Sequence, residues 1–132
     1  MAVASDREMD MSGHFDMTRC LIVDEDRDWQ DQVLAYCASL GFDFIATSCE
    51  EDAIQHCAAD MPDVVLVGTP SAPDFIRQLR RLGGKDPIVI HCPDRGDADS
   101  VTRAIWNGAS DYMIKPCSRE IFGTKLRQSG LL

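Results

Sequence analysis

Asp24, Glu25 and Asp26 stand in a row after the apolar run Leu21-Ile22-Val23, and Lys115 closes another such run, Tyr112-Met113-Ile114. Adjacent carboxylates supply the oxygen ligands that hard divalent cations take, and a lysine is a compact charge that neutralises an anion. On spacing alone the acids read equally well as a solvated pair at a strand end. With Lys115 close, one positive charge faces two or three negative ones, so the group can partly neutralise itself without a metal. Gly68 and Thr69 follow Val64-Val65-Leu66-Val67, and Cys92 follows Ile88-Val89-Ile90-His91. Gly68 offers no side chain, and the Thr69 hydroxyl has no evident base to activate it as a nucleophile.

The elements that must position these residues alternate strictly. A continuous apolar run at 20–23 predicts a strand buried on both faces. Trp29, Val33, Cys37 and Leu40 then recur at helical spacing up to Gly41. Residues 42–46 predict a second strand nearer the sheet edge. Ser48 with Glu51 reads as a capping box for a helix carrying Ala53, Ile54, Cys57 and Ala58, which ends before Pro62. After a third strand at 64–67, Asp74 can cap a helix with Phe75, Ile76, Leu79 and Leu82, closed by Gly83-Gly84. A fourth strand at 88–91 precedes a helix opened by Asp97 or Asp99, with Val101, Ala104 and Ile105 facing inward up to Gly108. A fifth strand at 112–114 leads to a helix capped by Ser118, with Ile121, Phe122 and Leu126. Five strands and five helices in alternation predict an α/β, flavodoxin-like, doubly wound parallel sheet of order 2-1-3-4-5. In such sheets the reactive crevice lies beyond the carboxyl ends of the strands, where Asp24, Glu25, Gly68, Cys92 and Lys115 all fall.

Composition narrows the function classes. The chain of 132 residues, 45% hydrophobic and 27% charged, is large enough for one core. Residues 18–132 are expected to form a single domain, and residues 1–17 a flexible polar tail. A formal net charge of -9 repels nucleic-acid backbones and anionic membranes, so neither is expected as a partner. No apolar stretch reaches membrane-spanning length and no secretory signal opens the chain, which points to the cytoplasm. The six cysteines are scattered without a CxxC pair and read as small core residues in a reducing compartment.

The acidic strand end, the run to Gly68 and the Lys115-Pro116 pair jointly resemble the framework of bacterial two-component response-regulator receiver domains, the CheY-like family, over residues 18 to about 128. The resemblance implies that Asp24 and Glu25 correspond to residues that hold Mg²⁺, and that Lys115 corresponds to the lysine that contacts phosphoryl oxygens. It implies a cis peptide before Pro116. The family's phosphoacceptor aspartate falls at Gly68, and its threonine or serine switch falls at Cys92. The chain therefore reads as an atypical receiver, a pseudo-receiver, with no catalytic residues and no required cofactor, at which Mg²⁺ binds weakly or not at all. Tyr112 matches the family's switch aromatic. The fourth helix, fifth strand and fifth helix are commonly the partner or dimer face, so Trp106, Tyr112 and Phe122 are the expected interaction residues. The partner would be a signalling protein, either a histidine kinase, a phosphotransfer protein or a downstream effector, or a second copy.

Alternatives remain. A receiver could take phosphate on a non-standard acceptor, Thr69 or Asp74. The chain could be the receiver-like N-terminal part of a larger regulator or of a localisation ATPase. Cys92 and Cys117, both just beyond strand ends, could form a redox pair, although no basic flank marks either as a thiolate. His14, His56 and His91 suggest no metal site.

Overall fold

In the computed structural model, residues 17–95 and 97–132 are described, so all but Met17 of the tail expected at 1–17 lies outside the described residues. The chain runs β1 (Arg19–Val23), α1 (Arg27–Leu40), β2 (Asp43–Thr47), α2 (Glu50–Ala59), β3 (Val64–Val67), α3 (Ala72–Arg80), β4 (Ile88–His91), α4 (Ala98–Trp106), β5 (Asp111–Tyr112) and α5 (Arg119–Gln128). All strand pairs are parallel and the sheet order is β2-β1-β3-β4-β5, the doubly wound arrangement expected from the alternation.

Strand alternation splits the core into two layers. Cys20 and Ile22 of β1 join Val64, Leu66 and Ile90 against Trp29, Val33 and Cys37 of α1 and Phe122 and Leu126 of α5. Leu21 and Val23 turn the other way, with Val65, Val67 and Val89, against Ala53 and Cys57 of α2, Phe75, Ile76 and Leu79 of α3 and Ala104 of α4. The central strands carry apolar side chains on both faces because helices cover both. The expected stripe of α1 is the observed one, and Gly41, at φ 75°, closes the helix in the left-handed region.

Register positions the site. Val23 pairs with Val67 and Val67 with His91, so the next residues, Asp24, Gly68 and Cys92, come abreast at one edge of the sheet. The ladder continues through them, with the Gly68 amide donating to the Val23 carbonyl at 2.9 Å and the Cys92 amide to that of Val67 at 2.8 Å.

Local differences have local causes. Cys49, not Ser48, is the N-cap of α2, without a side-chain hydrogen bond, because the helix begins one residue later than a Ser48 cap requires. α3 begins at Ala72 after Ser71, which leaves Asp74 in the first turn, exposed and 3.0 Å from Arg77. Ile105, expected inward, is exposed, since Ala104 beside it takes the buried position, and Ile121 is exposed beside buried Phe122. β5 is shorter and earlier than expected, at Asp111–Tyr112.

One side chain joins several elements. The Arg80 guanidinium donates to the Gly108 carbonyl at 2.9 and 2.7 Å, to the Pro87 carbonyl at 2.8 Å and to Asp86 at 2.7 Å. It fastens the end of α3 to the turn after α4 and to the entry of β4.

Candidate functional site

Asp24 and Lys115 meet at the carboxyl end of the sheet. Lys115 Nζ lies 3.0 Å from Asp24 Oδ1 and 2.8 Å from Oδ2, a two-pronged ion pair whose side chains are 6% and 2% exposed. The backbone brings them together: Asp24 directly follows β1, and the Lys115 amide donates to the Pro93 carbonyl at 2.8 Å beyond β4. Asp24 Oδ1 also accepts the Asp26 amide at 3.0 Å, and the Asp24 carbonyl accepts Gln30 Nε2 at 2.5 Å. Asp94, on the solvent side, lies 4.0 Å from Lys115. The Lys115–Pro116 peptide bond is cis.

Gly68 lies directly against this pair. A Cβ built at Gly68 would collide with Asp24 Oδ2 and stand 2.7 Å from the Cys92 carbonyl oxygen. Cys92 is buried, its thiol 3.7 Å from the Ile90 carbonyl. Burial, and after it the Asp24 carboxylate, push that thiol well above its ordinary pKa. Cys117 is half-buried, and burial pushes its thiol up to about 11, so neither sulfur is a ready thiolate.

The other expected pocket residues sit apart from the pair. Glu25 is exposed at the rim of a cavity of about 310 Å³, lined also by Ser48, Cys49, Glu50, Glu51, Thr69, Pro70 and Ser71. Thr69 is buried and donates its hydroxyl to Glu50, and Ser71 Oγ lies 2.9 and 3.0 Å from the two Glu50 oxygens. Glu50 was not singled out in the sequence; its one legible signal was an acid in the first turn of a helix whose N-terminus faces the crevice. It corrects the expectation that no base stands near Thr69. His91, read as incidental, is also buried, with Nδ1 3.1 Å from the Val67 carbonyl and Nε2 against Ser100 of α4.

Trp106 is 88% exposed at the end of α4, and Ile105, Tyr112 and Ile121 are also exposed. Lys125 lies over the Tyr112 ring at 4.7 Å and pairs with Asp111 at 3.1 Å. Phe122 does not belong to this surface. It is fully buried against Tyr36, with ring centroids 5.2 Å apart, because its position on α5 faces α1 across the core.

No family model matches the chain. In sequence it is similar to the two-component response regulator ORR27 of Oryza sativa subsp. japonica, 25% identical over 90% of this chain and 20% of that protein. It is similar also to the response regulator SaeR of Staphylococcus epidermidis, 28% identical over 88% of this chain and 51% of SaeR. In structure it matches a response regulator from Thermotoga maritima at a TM-score of 0.76 and 23% identity, over 85% of this chain and 96% of that one. The fold is that of a response-regulator receiver domain. This receiver-like chain spans about a fifth and about half of the two curated relatives. No helix among its described residues is long and apolar enough to cross a membrane.

Proposed function

We propose that this receiver-like domain is a signalling module of a two-component or phosphorelay-type pathway that acts by protein contact, without conventional aspartyl phosphorylation and without enzymatic activity of its own. The observation that carries the reading is Gly68 at the acceptor position, abreast of a buried Asp24–Lys115 pair. Residue 68 carries no carboxylate of its own to receive a phosphoryl group. The residues present do not fit Mg²⁺ either: Lys115 takes both Asp24 oxygens, the ligand at 68 is missing and Glu25 lies at the rim. Among the described residues no group of three or more His, Cys, Asp or Glu is placed to hold a metal ion. No step through a metal is invoked.

The recognition surface we assign includes the exposed residues Ile105, Trp106, Tyr112 and Ile121 along α4, β5 and α5, two of them the aromatic anchors that dominate interfaces. Its partner is a histidine kinase, a phosphotransfer protein or a downstream effector, or a second copy. The lengths of the relatives support the further reading that the module works as one part of a larger regulator.

Two measurements test this function. Incubation with acetyl phosphate and Mg²⁺ is expected to leave the intact mass unchanged. Capture of partners from native cells, or self-association, is expected to weaken with Trp106→Ala. A second reading draws on Glu50, which gives the Thr69 hydroxyl an adjacent base, so a phosphoryl adduct mapped to Thr69, or to Asp74, would replace the first.

A further inference from the structure

We infer that Asp24 is the internal occupant of the acceptor position: its carboxylate, held by Lys115, fills the space left by the absent side chain at Gly68 and closes that one position to phosphate and divalent cations. The inference rests on the reading above that this receiver works without aspartyl phosphate, and it adds the residue that makes the loss structural.

Three observations converge. The point where a Cβ of residue 68 would lie is claimed by Asp24 Oδ2 on one side and by the Cys92 carbonyl on the other, so backbone as well as side chain has closed over it. Both Asp24 oxygens bind Lys115, and the pair is buried, so the carboxylate is held where it lies and is not a freely rotating rim group. Its Oδ1 also takes the Asp26 amide, which fixes its rotamer from the α1 side. A buried ammonium needs a partner, and where no acceptor carboxylate stands at 68, Asp24 is the group that supplies one. Restoring an aspartate at Gly68 therefore does not rebuild the switch, because the incoming side chain must first displace Asp24 from Lys115.

The test is a double-mutant cycle on the whole chain with Gly68→Ala and Asp24→Gly, read by thermal unfolding. Gly68 lies outside the left-handed region, so alanine there costs contact and not backbone strain. Gly68→Ala is expected to lower Tm by about 5–10 °C in the unaltered background and by measurably less beside Asp24→Gly, where only the contact with the Cys92 carbonyl remains. Additive losses would overturn the inference.

A second measurement holds even if Asp24→Gly fails to fold. In the unaltered protein, Mg²⁺ with BeF₃⁻ is expected to leave the amide resonances of Asp24, Gly68 and Lys115 in place, and saturable shifts there at millimolar ligand would overturn it. The proposed function and the plug fail separately. An acetyl-phosphate adduct on Thr69 or Asp74 alongside a non-additive cycle removes the proposed function and leaves the plug standing. An additive cycle with no adduct removes only the plug.

Discussion

Lys115 and Asp24 illustrate what buried charge does when each partner is the other's main compensation. Breaking such a pair from one side strands the remaining charge, so Lys115→Ala is expected to lose about 3–5 kcal/mol in urea unfolding. The same change at an exposed ion pair such as Arg77–Asp74 is expected to lose less than about 1 kcal/mol. His91 gives a second residue-level expectation. Burial holds its imidazole below the ordinary range, against the carbonyl of Val67 and the hydroxyl of Ser100, with the charges of Asp97, Lys115 and Arg103 acting on it. A base whose pKa is lowered on folding contributes stability fully above its unfolded pKa of about 6.5 and loses it as pH falls through the folded value. Tm of the unaltered protein should therefore fall below pH about 6.5 more steeply than that of His91→Gln, and parallel curves would remove His91 as the source. The acids, Gly68 and Lys115 were legible because each ends an apolar run. The Glu50–Thr69 bond and the His91–Ser100 bond were not, since each joins side chains whose approach depends on how a helix sits on the sheet.

At the scale of elements, order and type were legible from periodicity, because both layers of helices leave a 3.6-residue stripe and the central strands a continuous apolar run. Boundaries were less so, and the caps show why. Many polar residues near a helix start can cap it, and only geometry selects one. Asp97 and Ser118 are the selected caps of α4 and α5, accepting the Ser100 and Ile121 amides at 3.2 Å each. Their replacement by alanine is expected to cost about 1 kcal/mol each. Asp74→Ala, at the position the sequence favoured for α3, is expected to change stability by less than about 0.5 kcal/mol. Denaturant midpoints of the three variants measure the distinction. Phe122 failed as a surface residue for a related reason: an aromatic on an amphipathic helix fits either side, and Tyr36 waiting on α1 decided it.

Over the whole molecule, charge is unevenly spread. Residues 24–63 hold eleven acids and one base, Arg27, while residues 64–132 hold seven acids and ten bases. The flank built from α1, β2 and α2 repels itself at low ionic strength. Raising salt from low to physiological levels is therefore expected to raise Tm, as screening shortens that repulsion to about 8 Å. A fall in Tm over the same range would place favourable ion pairs ahead of repulsion. The net charge announced itself in composition, but its concentration on one flank needed the strand order, which puts β2 at an edge.

Arg80 gives the molecule a mechanical property. Its guanidinium grips the Gly108 carbonyl two residues beyond Trp106, and the same fork holds Asp86 and Pro87 ahead of β4. A load applied at the indole is thus transmitted along a rivet into α3 and the root of β4, and the free end of α4 cannot be levered outward on its own.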